Sequence, residues 1–312
     1  GSGGLAGRLT TDGQIADTTA HLELNGAVPV DGKAVQVDMR ASNIVPSALA
    51  KAMPDLSDYM LVDAPFNATG MLDLKPNGDV ISAQLSIEAG KGNFVLPALQ
   101  QAPVALERAR AELTLDASAR RIDVRQLELQ AGPHSASLTG HVDYVLGAGL
   151  HVSTAKVDLN AGKTTTDVPG FFEGHFELDK AHVAALLDFD KRAISVEDIT
   201  LGIAGGKIAA AGTIESGPRS PAVRMKGEIA SIPVDTVRTI WPLPLSPHAR
   251  DWVEKNLHGG MLEKGDFAID VPADMLADAD EGMAIPNERI KFNFNVSGAD
   301  VAYLDAMPHM VG

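Results

Sequence analysis

The sequence contains no cysteine, an absence that removes disulfide bonds, thiolate nucleophiles and Cys-ligated zinc together. It suits a cytosolic protein, and equally a bacterial envelope protein that does without disulfides. Aromatic residues are scarce, at 4% of the chain, with only two tryptophans. No apolar run approaches the ~18–20 residues of a transmembrane helix, and no signal peptide is visible. The opening Gly1-Ser2-Gly3-Gly4 reads as expression-vector sequence, so a missing anchor says little about the native protein. Positive charge is in deficit: the formal net charge is −15. That argues against a nucleic-acid partner, because such binding rests on neutralising phosphates with Lys and Arg. It argues equally against electrostatic docking on an anionic bilayer.

What is present is an apolar fraction of 45% over 312 residues, enough for one elongated β domain or two compact ones. Its arrangement is period two. Short runs such as "QVDMRAS", "QLSIEAG", "ELTLDAS", "RIDVRQLELQAG", "SLTGHVDY", "SVEDITLGIAGG" and "FNFNVSG" place apolar residues on one side. Turn chemistry such as "PNGD" at 76–79 separates them. Strands of this kind have one dry and one wet face, so the chain is expected to be mainly antiparallel β with a few short helices.

The runs repeat. "LDASARRIDVRQLELQAGPHSASLTGHVD" (115–143) aligns without a gap on "LDFDKRAISVEDITLGIAGGKIAAAGTIE" (187–215), each residue meeting the one 72 positions on, as Leu115 meets Leu187. A looser copy begins at Leu74. A second unit, "SNIVPSALAKAMP" (42–54), aligns on "ASIPVDTVRTIWP" (230–242), with Ser47 and Asp235 as expected N-caps of a short helical turn. "GADVAYLDAMP" (298–308) is a third, partial instance. Stacked strand units of this kind make quasi-one-dimensional architectures. Each has one apolar face that it cannot bury alone, and either a sheet curled into a long open groove or a two-sheet sandwich resolves that. Residues 5–226 read as the repeated β segment, and 227–312 as a helix-containing joint followed by further strands.

No catalytic pattern stands out. "AGKTT" at 161–165 and "GIAGGKI" at 202–208 lack the spacing of a phosphate-binding loop and read as β-turns. The nine histidines show no metal-ligand spacing, and no G-x-S-x-G elbow occurs. Most carboxylates alternate with apolar residues, as expected of a solvated sheet face. Neither an enzyme nor a cofactor is expected. Asn67-Ala68-Thr69 is a glycosylation sequon in form only.

One stretch breaks the β pattern. "WPLPLSPHARDWVEKNLHGG" (241–260) holds both tryptophans and the clearest helix signature. Ser246 is a good N-cap, Pro247 suits the first helical position, and Gly259 supplies a stop, which predicts a helix over about 247–258. Ala249, Trp252, Val253 and Leu257 then fall on one face, with Trp252 the largest apolar group. Trp241, Trp252, Val253 and Leu257 are thus candidates for a lid or joint, beside the plainer reading of a helix packed as ordinary core.

The segment also resembles YhdP-type members of the AsmA-like superfamily. Trp241, Pro242, Ala249, Arg250, Trp252, Asn256, Leu257 and Gly260 carry the likeness: a Trp-Pro, an Ala-Arg-x-Trp helix, an Asn-Leu, and a glycine before the next strand. Similar stretches upstream, from "NIVPSALAKAMP", and at the C-terminus extend it over most of the chain. The chain departs from the pattern in lacking the family's N-terminal transmembrane helix and further repeats. What the resemblance implies is the periplasmic part of an inner-membrane-anchored envelope protein, bridging inner and outer membranes with a β-groove that carries phospholipid.

On that reading the groove lining is Leu113, Leu115, Ile122, Val124, Leu127, Leu129, Leu138 and Val142 in the first copy, and Ile194, Val196, Ile199, Leu201, Ile203, Ile208 and Ile214 in the second. An acyl chain leaving a bilayer for water loses about 0.8 kcal/mol per CH₂, which a dry groove returns. Roughly twenty strands at ~4.8 Å would extend at most ~100 Å as one ladder. The alternatives are a factor that assists outer-membrane protein assembly by strand addition, and a closed β spacer.

Overall fold

The alternation in "IDVRQLEL" contains one three-residue step, from Val124 to Leu127, and the second copy repeats it from Val196 to Ile199. In a flat strand that step would throw every later side chain onto the wrong face. A computed structural model of the protein shows how it is absorbed. It describes residues 5–15, 18–28, 32, 34–52, 62–96, 100–147, 151–166, 172–243, 247–280, 283, 285–302 and 310–311. The chain divides into two compact units, 1–143 and 144–312.

In the first unit the strands are β1 (Leu5–Ile15), β2 (Thr18–Val28), β3 (Val35–Ile44), β4 (Val62–Asp63), β5 (Phe66–Leu74), β6 (Val80–Ala89), β7 (Gly92–Leu96), β8 (Gln100–Leu106), β9 (Arg108–Asp116), β10 (Arg121–Ala131) and β11 (His134–Leu146), the last running past the boundary. Helix α1 spans Pro46–Ala52. Strands β1, β2, β3, β5, β6, β9, β10 and β11 pair in that order, each antiparallel to the next. The short β4, β7 and β8 form a separate sheet. It packs through Ala64, Val104 and Leu106 onto one end of the larger sheet, at Phe66, Ala89, Ala109, Leu129 and Ala131.

The second unit holds β12 (Val152–Ala161), β13 (Thr164–Thr166), β14 (Phe176–Leu178), β15 (Lys180–Asp188), β16 (Ala193–Ile203), β17 (Gly206–Glu215) and β18 (Ala222–Pro233). Helices α2 (Val234–Thr239) and α3 (Pro247–Asn256) follow, then β19 (Leu257–His258), β20 (Met261–Val271), helix α4 (Met275–Asp280), a 3-10 turn (Asn287–Arg289), β21 (Ile290–Ser297), β22 (Asp300–Val301) and β23 (Met310–Val311). Here the order is β12, β15, β16, β17, β18, β20, β21, again antiparallel throughout, with β13–β14 a short side pair. Among the described residues no ladder of either unit closes into a barrel.

The three-residue step is a β-bulge. Val124 pairs with Leu113 and Gly140, Leu127 with Ala111 and Leu138, and the register shifts between them. Val196 and Ile199 repeat the pattern against Gly212 and Ala210. One extra residue lets Ile122, Val124, Leu127 and Leu129 stay on one face.

The 72-residue repeat is carried by the backbone as well as the sequence. Arg120 and Arg192 both have φ 53°, and Gly132 and Ala204 have φ 54° and 49°. These left-handed residues, rare outside glycine, mark the same turns of the two copies. The second repeat behaves likewise: Asn43 (φ 57°) precedes α1 as Ser231 (φ 56°) precedes α2, 188 positions on. The expected caps differ in detail. Asp235 lies inside α2, whose N-cap is Pro233 with no side-chain bond, and Ser47, inside α1, donates to Asp63 Oδ1 at 2.8 Å instead. Ser246 and residues 303–308 of the third instance lie outside the described residues.

Both loop-like motifs are turns. Gly162 and Lys163 link β12 to β13, and Ala204-Gly205, both at positive φ (49° and 80°), make the two-residue turn from β16 to β17. At 76–79, Gly78 N–H donates to Lys75 O at 2.9 Å and closes the predicted turn.

Candidate functional site

Directly opposed residues of antiparallel strands share a face, so registers can be read across each sheet as rows. In the first unit one row runs Leu9, Leu24, Met39, Gly70, Leu85, Leu113, Val124, Gly140. A parallel row runs Val37, Leu72, Ala83, Leu115, Ile122, Val142, and a third Leu22, Ala41, Ala68, Ile87, Ala111, Leu127, Leu138. The alternate residues form rows of the opposite kind, such as Asn25, Asp38, Met71, Gln84, Thr114, Asp123, His141.

The second unit repeats the arrangement. Leu159, Val183, Ile199, Ala210, Gly227, Phe267 and Phe292 make one row, and Ala155, Leu187, Ile194, Ile214, Val223 and Val271 another. A third holds Ala161, Ala181, Leu201, Ile208, Ile229, Gly265 and Phe294. Each sheet thus has one continuous apolar face.

All fifteen lining residues expected from the sequence lie on the apolar face of their own sheet, but they are not alike. Twelve are half-buried. Val124, Val196 and Ile203 are buried, and Ile203 belongs to a closed cluster with Leu178 and Ile232, so it is packed core rather than open lining. The sequence reading missed the rest of each row: Leu9 to Leu85 in the first unit, and in the second Leu159 and Val183 on one side and Val223 to Phe292 on the other, together with Met225, which joins the face opposite Gly212 and Ile269. Their own alternation was visible, but only register assigns them to the same face as the repeats.

The insert α2–α3 lies over one end of the second apolar face. Val234, Trp241, Val253, Leu257 and Ala299 form its core with Phe292 and Val296 of the sheet. The Trp241 and Phe292 rings sit 5.0 Å apart. Arg250, 13% exposed, bonds Glu173 at 2.5 Å and faces Glu254 at 3.8 Å, and Glu254 lies 3.9 Å from Arg238 of α2. These contacts fix the two helices side by side. The expected helix face needs correcting: α3 stops at Asn256, Val253 and Leu257 point inward, and Ala249 and Trp252 point outward, Trp252 at 44% exposure. Gly259, at φ 62°, lies three residues beyond the helix end, past β19, and so is not the stop that the sequence predicts.

Between the insert and the sheet lies a cavity of about 200 Å³, walled by Val237, Trp241 and Val253 above and by Ile229, Phe267 and Phe292 below. No metal-binding cluster occurs among the described residues, and no described helix is long and apolar enough to cross a membrane.

The polar faces carry histidine–carboxylate pairs instead. His182 sits between Asp198 (Nδ1, 2.8 Å) and Asp158 (Nε2, 3.2 Å), on three adjacent strands. The hydrogen bond that its Nδ1–H donates to Asp198, with the bond to Asp158 in support, holds its imidazole above the ordinary range. A raised folded-state pKa stabilises most below the unfolded value of about 6.5 and loses that stability as pH rises through the folded value. His182→Gln should therefore lower the urea midpoint at pH ~5.5, by under about 1 kcal/mol as for part-exposed pairs, and leave it unchanged at pH ~8.5. A variant effect equal at both pH values would assign His182 a packing role only.

Neither a protein-family model, nor a curated protein, nor a solved structure matches the chain.

Proposed function

We propose that each apolar face is the inner wall of an open β-groove and that the chain is a segment of a bridge carrying phospholipid between membranes. The observation that carries this is the set of unbroken apolar rows, most of their members only half-buried, backed by rows of mostly polar residues. A sheet face that served only as core would be covered along its length. Here the packed clusters lie toward the ends of each sheet's strands, under β4–β7–β8 in one unit and under α2–α3 and α4 in the other.

Sliding follows from the chemistry of the rows. Each methylene moved from water onto an apolar wall gains about 0.8 kcal/mol, and the next position along a row offers the same gain, so transfer between positions is nearly level in free energy. The described apolar rows carry no Lys or Arg, so headgroups stay in solvent and lipid class is weakly discriminated. The resemblance to YhdP-type proteins, with its implied periplasmic setting, supports the same reading.

The test is a photo-crosslinking residue at Ile199, on the apolar face, or at its neighbour Thr200, on the polar face, in cells. Phospholipid adducts are expected at Ile199 and not at Thr200. Their absence at Ile199 in folded protein would overturn the conduit in favour of a closed spacer.

A further inference from the structure

Along the row through Leu159, Val183, Ile199 and Ala210 the second unit's apolar face is half-buried, and the row ends under the α2–α3 insert, at the cavity. We infer that this cavity is a seat for the terminal segment of a single hydrocarbon chain, holding a lipid by its tail; the inference rests on the conduit reading above.

Size sets the first limit. At about 200 Å³ the space exceeds the ~150 Å³ of an engineered apolar cavity that stays dry and binds benzene, yet it is too small for a whole lipid. Chemistry sets the second. Among the described residues no cationic side chain lines the cavity, and the two polar ones at its border, Asp266 and Asn293, alternate with the inward Phe267 and Phe292. Asn293 Nδ2 donates to Asp266 Oδ2 at 3.0 Å, so that pair is satisfied on the other face of the sheet. A charged headgroup entering here would lose its hydration without a partner. Hydrocarbon loses nothing.

Continuity sets the third. The floor residues Phe267 and Phe292 belong to the row that crosses the half-buried part of the sheet through Val183, Ile199, Ala210 and Gly227. Gly227 is part of the design, because a Cβ there would come within 2.5 Å of the Phe267 ring. The absence of a side chain at 227 leaves room for the Phe267 ring over that strand. A chain sliding along the row therefore meets the cavity end-on, and each methylene that enters strengthens binding about fourfold. The insert makes one place on an otherwise level path where a lipid pauses, tail first.

The two tryptophans supply the test. Trp252 is exposed and outside the cavity, so Trp252→Phe leaves Trp241, 7% exposed in the cavity wall, as the single reporter. Stearic acid carrying a nitroxide near the tail (position 16) should quench Trp241 fluorescence at a several-fold lower concentration than stearic acid labelled near the carboxylate (position 5). Filling the cavity with Val237→Phe, or with Val296→Phe should the first fail to fold, should abolish that difference. Equal quenching by the two probes, stronger quenching by position 5, or no quenching would each overturn the tail seat. Lipid adducts at Ile199 report on the conduit separately: if they persist, only the seat has failed, and if they too are missing, both readings fall.

Discussion

Ile232→Ala is expected to lower the stability of the second unit by about 3 kcal/mol, the middle of the range for a buried Ile or Leu cut to Ala. Ile232 is 0% exposed and packs with Leu178 and Ile203, against Val237 and Ile240 of the insert. It also pairs with Leu262 across the β18–β20 ladder. The residue before it, Ser231, holds a left-handed φ of 56°, and the chain leaves the sheet for α2 two residues later. Removing the side chain opens a void under the hinge of the insert, and the surrounding strands, fixed by hydrogen bonds on both sides, cannot collapse to fill it.

Both tryptophans lie on this insert, so tryptophan fluorescence follows the second unit alone, without the first contributing to the transition. A loss of about 3 kcal/mol corresponds to a melting temperature lower by about 6–12 °C for a unit of this size. Ile194→Ala, on the half-buried part of the same face, should cost under about 2 kcal/mol, because less area leaves water there on folding. Equal losses at the two positions would mean that the cluster under the insert is no better packed than the open face.

The contrast between those two isoleucines shows what the sequence could disclose. Ile194 and Ile203 occupy the same alternating pattern in the same strand, and nothing local separates them. Alternation assigns a face; it says nothing of what covers it. Ile203 is sealed because Leu178 and Ile232, 25 and 29 residues away in the chain, arrive over it. The repeat was legible because it is local: the step from Val124 to Leu127 recurs from Val196 to Ile199, and the bulge that it requires recurs with it.

The insert was half legible. The predicted span of 247–258 matches the helix within two residues, yet helical spacing alone put Trp252 and Val253 together on the inner face. The sheet decides between them. The Trp241 and Phe292 rings, 5.0 Å apart and tilted 48° to each other, already take up part of the inner side, and the slimmer Val253 packs beside them while Trp252 turns to solvent. The cavity was not legible at all, since its walls come from α2, α3, β18, β20 and β21 and no two of those share a local pattern.

The groove itself is tested most severely by a single charge. Ile199 stands in the middle of a seven-residue row, between Val183 and Ala210, half-buried on the apolar face. In Ile199→Asp the carboxylate can remain hydrated while the face is empty, so the fold should lose no more than the burial of one isoleucine, under about 3 kcal/mol. An acyl chain lying along the row must strip that water, and an unpaired carboxylate held against hydrocarbon costs several kcal/mol. Each 1.4 kcal/mol is a factor of ten, so occupancy at the site should fall more than a hundredfold. With a photo-crosslinker at Met225, on the same face two strands away, lipid adducts should nearly vanish in Ile199→Asp. Thr200→Asp places the same charge one residue along, on the polar face beside Asp198, and should leave the adducts intact. Ile199→Asn, polar but uncharged, should fall between the two. If Ile199→Asp folds and still gives full adducts at Met225, lipid does not travel along this row, and the apolar face has a different occupant.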